Sequence, residues 1–126
     1  MYTITLKNKS EVWEDMYAAN CIQYLIRYNG LTEKNIINAL SSIIKRMNFD
    51  IDRLQVLDDI GNIIYWIFDY NNDIEVLENK NANSDILQKL KDGQQNLIKE
   101  LLLNDIWCDL VLNELAKIDS KIILKK

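Results

Sequence analysis

TEKNIINALSSIIKRM, residues 32–47, sets Ile36, Ile37, Leu40, Ile43, Ile44 and Met47 at three- and four-residue spacing. On a helix of 3.6 residues per turn these six side chains form one apolar stripe, the kind of surface a helix buries in a core. Thr32 stands where its hydroxyl can accept a bond from a free first-turn N–H. The stretch predicts an amphipathic helix capped by Thr32, and the chain on either side repeats the theme.

Upstream, Ser10 can cap a helix over residues 11–29, with Gly30 supplying the left-handed residue that ends it. Downstream, Asp50 or Asp52 can open a third helix running to about Tyr70. Residues 71–84 are rich in Asn, Asp, Glu and Ser and read as a loop holding one short helical segment at 74–79. Ser84 or Asp85 then starts a pattern carrying Ile86, Leu87 and Leu90. Gly93 costs about 1 kcal/mol in a helix interior relative to Ala, so it marks a break or a tolerated weak point, and a last long helix follows over about 94–118. At the ends, Tyr2, Ile4 and Leu6 alternate with Thr3 and Thr5, and residues 121–124 form a short run of branched side chains, so the termini can pair as a two-stranded ribbon. The expected fold is all-α: a compact bundle of about five helices, a single helical domain over residues 1–126.

Composition agrees with a globular chain. Apolar residues make up 48% and charged residues 27%, ordinary usage for a domain of this length. No apolar run approaches the about 20 residues needed to cross a bilayer, and the N-terminal residues lack the basic segment and apolar core of a secretory signal. Cys21 and Cys108 are too few for a disulfide framework, so reduced thiols and a cytoplasmic location are expected.

Most familiar chemistry is excluded by residue type. With no histidine, the Ser-His-Asp and Cys-His arrangements and every His-containing metal site are out of reach. Two distant cysteines cannot build a four-thiolate site, and three isolated glycines cannot make a phosphate-cradling loop. The nearest approach to a calcium loop is Asp69-Tyr70-Asn71-Asn72-Asp73, which then places Ile74 where glycine is needed and Lys80 where a bidentate glutamate is needed. No cofactor, metal ligand or catalytic residue is nominated. Nineteen acids leave carboxylate-based catalysis as an alternative, although neighbours such as Asp58 and Asp59 point about 100° apart on a helix.

Nucleic acid is disfavoured as a partner by a net charge of −4 and only three arginines, Arg27, Arg46 and Arg53. Lys7, Lys9, Lys121, Lys125 and Lys126 nonetheless make both ends basic, and a nucleic-acid-associated dimeric regulator is a second alternative. Its homodimer would form through the last helix, where Leu103, Ile106 and Leu110 fall opposite Leu97, Leu101, Cys108, Leu112 and Leu115. Trp13, Tyr17, Tyr24 and Tyr28 lie with Cys21 along one side of the first helix and are expected in the core.

The charge is lopsided. Between residues 50 and 78 eight acids face one base, Arg53, which leaves that segment at −7 and the remainder at +3. On a 100° wheel of the third helix, Leu57, Ile60, Ile64 and Phe68 cluster as the core side. Gln55, Asp59, Asn62, Trp66, Asp69 and Asp73 lie opposite, with Trp66 central. Tryptophan is a frequent interface anchor, and acidic neighbours steer a basic partner toward it. The expectation is a non-enzymatic protein-binding protein, an inhibitor or immunity/antitoxin-type factor covering a basic toxin or nuclease through Gln55, Asp58, Asp59, Asn62, Trp66, Asp69 and Asp73.

Overall fold

The computed structural model describes residues 3–125. Six helices and a small antiparallel sheet made largely from the chain ends give the helical fold expected from the sequence. In chain order they are β1 Ile4–Lys7, β2 Trp13–Met16, α1 Ala18–Tyr28, α2 Glu33–Arg46, α3 Ile51–Leu57, α4 Asp59–Asn79, α5 Ser84–Leu101, α6 Asp105–Ile118 and β3 Leu124–Lys125. These elements fall into two compact units: Met1–Arg46 with Leu102–Lys126, and Met47–Leu101. Among the described residues no helix is long and apolar enough to cross a membrane.

In the first unit the sheet order is β2-β1-β3. β1 pairs with β3 through Thr5 opposite Lys125 and Leu6 opposite Leu124, which is the expected pairing of the ends, with Tyr2 outside the described residues. The third strand departs from expectation. Residues 13–16 form β2 rather than the first turns of a helix, with Ile4 opposite Met16 and Lys7 opposite Trp13. The cause is local: the Asn8 side chain accepts from Ser10 N and Val12 N, and Glu11 takes a left-handed φ of 61°, which closes a tight turn. Ser10 thus belongs to the turn and caps nothing. The aromatic stripe dissolves with the helix that was to carry it, since Trp13, Tyr17 and Tyr28 are exposed and Tyr24 is half-buried, leaving Cys21 in the core.

In the same unit α6 packs against both α1 and α2, and α1 also meets β1. Their buried side chains include Ile22 and Leu25, then Ile36, Leu40 and Ile43, then Val111, Leu112 and Leu115, with Leu6 beneath β1. Thr32 caps α2 as expected, accepting from Asn35 N while Asn35 Oδ1 accepts from Thr32 N, so two orphan donors are satisfied reciprocally. Gly30, at φ 70°, ends α1, and Leu31 N returns to Leu25 O. The far end of α2 is tied by Arg46 Nη1 to Glu114 Oε2 at 2.5 Å, which pairs the buried Glu114 carboxylate.

In the second unit the expected third helix is broken at Asp58, which takes an extended conformation and accepts from Gly61 N at 2.6 Å. Asp50 caps α3 in the same manner through Asp52 N. The break shifts the wheel. Leu57 becomes exposed and Ile60 and Phe68 half-buried, while Gly61, Ile63, Ile64, Ile67 and Ile74 form the buried side of α4. α4 also runs on to Asn79, so the loop expected at 71–84 shrinks to residues 80–83, with Asn83 accepting from Asp85 N at the start of α5. The Asp69 to Asp73 string compared with a calcium loop is continuous helix.

α5 passes straight through Gly93, and the expected last helix divides instead at residues 102–104. Asn104 is the reason, since its side chain accepts from Trp107 N and starts α6 afresh. Leu97 and Leu101 therefore sit on α5, apart from Cys108, Leu112 and Leu115 on α6. Leu103 and Ile106 are exposed, and Leu110 is half-buried.

Candidate functional site

The site grows from the packing of α4 on α5 within the second unit. Gln94 of α5 is buried and donates from Nε2 to Ile67 O of α4 at 3.1 Å, a polar pin between the helices. One position earlier, Gly93 faces the Tyr70 ring so closely that a Cβ there would stand 2.9 Å from the ring's Cζ and Oη. The missing side chain lets Tyr70 lie against α5.

Around that contact opens a groove of about 600 Å³ lined by Trp66, Asp69, Tyr70 and Asp73 of α4 and by Gly93, Asn96, Leu97 and Glu100 of α5. Trp66 is 46% exposed. Asp69 and Asp73 are exposed on its own helix, and Glu100 is exposed on the facing one. Among the described residues none of these three carboxylates has an ion-pair partner. Asp69 also borders a second groove, about 390 Å³, with Asp50, Asp52, Tyr65, Phe68 and Asn72.

Three of the seven residues nominated from sequence, Trp66, Asp69 and Asp73, are thus brought together. Asp59 and Asn62 continue the same stripe of α4 toward its N-terminus, Asp59 exposed and Asn62 half-buried, but they do not line the groove. Gln55 is exposed on α3, which the break at Asp58 separates from that stripe. Asp58 is the N-cap of α4, with its carboxylate engaged by Gly61 N, so its first role is structural. The α5 wall was not nominated. Its signal is the polar face Gly93, Asn96 and Glu100, at three- and four-residue spacing opposite the buried Gln94 and Ile98.

The electrostatics divide along the same boundary as the fold. Eleven acids against five bases leave Met47–Leu101 at −6, whereas eight acids against ten bases leave the other unit at +2. α4 alone carries Asp59, Asp69, Asp73, Glu75 and Glu78 and not one lysine or arginine. Exposed indole, a tyrosine floor and carboxylates on both walls make the groove suited to a cationic side chain, which would gain about 0.5–1 kcal/mol over the indole face in addition to its ion pairs.

The thiols offer no counterpart chemistry. Burial pushes Cys21 up to about 11, and burial together with the nearby Asp105 charge pushes Cys108 up to about 12, so both are protonated and unreactive near neutral pH. Cys108 Sγ donates to Leu102 O at 2.9 Å, which further fixes the neutral thiol. Among the described residues no group of three or more His, Cys, Asp or Glu side chains is placed to hold a metal ion. No protein-family model, curated protein or solved structure matches the chain.

Proposed function

We propose that the chain is a non-enzymatic, cytoplasmic protein that acts by binding another protein, as an inhibitor or immunity/antitoxin-type factor whose acidic α4 face covers the basic surface of a toxin or nuclease. The observation that carries this reading is the exposed Trp66 set among Asp69, Asp73 and Glu100 in a unit of net charge −6. An exposed indole is costly to leave in water and useful as an anchor, and unpaired carboxylates around it repel one another until a cation arrives. Complementary charge would raise the association rate, and the indole would slow dissociation.

The test is capture of a partner from the native host by the full chain, repeated with Trp66→Ala and with Asp59→Lys plus Asp69→Lys. Trp66→Ala should weaken binding at least ten-fold, about 1.4 kcal/mol, chiefly through faster dissociation. The double lysine variant should slow association, and added salt should narrow its difference from wild type. Equal capture by all three proteins would remove this face from consideration.

A further inference from the structure

The strongest feature left unused by that reading lies in the other unit and has the opposite charge. β1 pairs with β3, and this brings the two basic ends of the chain together. Lys7 at the end of β1, Lys9 in the turn that follows and Lys121 ahead of β3 line one pocket of about 370 Å³, with Asn8, Tyr28, Asn29 and Gly30. No carboxylate is among its lining residues. In a chain of net charge −4, three lysines from two distant stretches of sequence lining one hollow are not the background expectation, although Lys7 Nζ also lies 5.8 Å from the centroid of the Trp13 ring.

Two further features bear on what the pocket would hold. Tyr28 is 47% exposed, with its ring 4.8 Å from that of Tyr24, whose hydroxyl accepts from Lys9 N at 3.0 Å. The aromatic ring is thereby fixed beside the lysines, as a stacking platform beside a phosphate site would be. Asn29, which also lines the pocket, has a buried Oδ1 with no hydrogen-bond partner among the described residues, so one acceptor in the pocket wall is left unsatisfied. The C-terminus of α1 adds about half a negative charge nearby, but its backbone is already engaged, with Asn29 N and Leu31 N both bonded to Leu25 O. Three full positive charges outweigh it.

From these features we propose that the Lys7, Lys9, Lys121 and Tyr28 pocket binds a nucleotide phosphate, either a free nucleoside monophosphate or the phosphorylated end of a single strand. The lysine ammonium groups take the phosphate and Tyr28 stacks the base. The volume lies within the range of small-molecule clefts. The pocket is independent of the Trp66 groove and does not require it.

The test titrates the full chain with AMP, inorganic phosphate, and a short single-stranded oligonucleotide with and without a 5′-phosphate, following amide shifts by NMR. Lys7→Gln, Lys9→Gln and Lys121→Gln together should weaken AMP binding at least ten-fold, and Tyr28→Ala should weaken AMP more than inorganic phosphate. A control with Lys34→Gln, Lys45→Gln and Lys89→Gln changes net charge equally and should leave binding near wild type. Preference for the 5′-phosphorylated strand over AMP assigns the strand end as the source, and the reverse assigns the free nucleotide. Absence of AMP and strand binding at millimolar ligand, equal losses in both lysine sets, or equal affinity for phosphate and AMP with Tyr28→Ala unaffected, would each overturn the proposal.

Discussion

Gly61→Ala isolates the contact that shapes the second unit. In an unconstrained helix interior this substitution stabilises by about 1 kcal/mol, because alanine loses less backbone entropy than glycine. Here an alanine Cβ would lie 1.8 Å from Leu54 O and 2.8 Å from Leu54 C, where ordinary contact begins near 3.4 Å. Relief needs a displacement of roughly 1.6 Å, and neither partner has a rotamer to change, since one is a Cβ and the other a backbone carbonyl. α3 would have to move off α4. That movement exposes part of Leu54, which is 2% exposed, and stretches the 2.6 Å cap from Asp58 to Gly61 N.

Losing the cap costs about 1 kcal/mol. Overpacking with partial exposure of Leu54 costs about 3 kcal/mol. Against these stands the gain of about 1 kcal/mol from helix propensity, so the net is a loss of about 3 kcal/mol. Urea unfolding followed by circular dichroism should show the midpoint falling by about 1.5 M for a slope near 2 kcal/mol/M, with Tm down by about 10 °C. Equal stability, or the gain that propensity alone demands, would refute the close approach of Leu54 to Gly61.

Other perturbations test the groove and the thiols. Gly93→Ala meets the far end of a side chain rather than backbone, so Tyr70 can yield: stability should change by less than about 1 kcal/mol, while partner capture falls because the groove floor has moved. Glu75→Lys with Glu78→Lys removes negative charge from the last turns of α4, where the helix dipole disfavours it, and should raise stability by about 1 kcal/mol in denaturant melts at low salt, less at high salt. Cys108 is held neutral up to about 12 in the folded state while the unfolded thiol ionises near its ordinary value. Its contribution is therefore complete below about pH 9 and is lost as pH rises from there toward 12. The stability difference between wild type and Cys108→Ala should shrink over that range in urea titrations, and an unchanged difference would place the thiol outside the buried site.

How much of this was legible in the sequence depends on which forces set each element. α2 could be read almost in full because stripe and cap agree, with Thr32 and the isoleucines pointing to one helix; only Met47 departs, since the helix ends at Arg46 and Met47 is exposed beyond it. The first helix was misplaced because Val12, Trp13 and Tyr17 fit a 3.6-residue period as well as a strand, and the deciding signal is the Asn8 side chain, whose turn bonds leave no mark on hydrophobic periodicity. Breaks at Asp58 and Asn104 were missed for a related reason. Each is a capping residue inside a run whose apolar spacing continues across it, and only tertiary packing decides between a cap and a solvated polar position. In the groove, Trp66, Asp69 and Asp73 were legible since they share a face of one helix. Asn96 and Glu100 were not, because pairing of α4 with α5 is a long-range fact.

Stability alone does not explain the surface of α4. Asp59, Asp69 and Asp73 face outward without an ion pair among the described residues, and Glu75 and Glu78 stand near the helix end where the dipole opposes them. The first unit handles charge differently, giving Glu114, the one buried carboxylate among its described residues, both Arg46 at 2.5 Å and Lys117 at 3.9 Å. Solubility would be served equally by mixed charges, and a stable isolated surface gains nothing from an exposed indole. Either feature by itself is common. On α4 Trp66, Asp69 and Asp73 share one groove, so under the proposed function a single cationic surface would relieve the repulsion and cover the indole together.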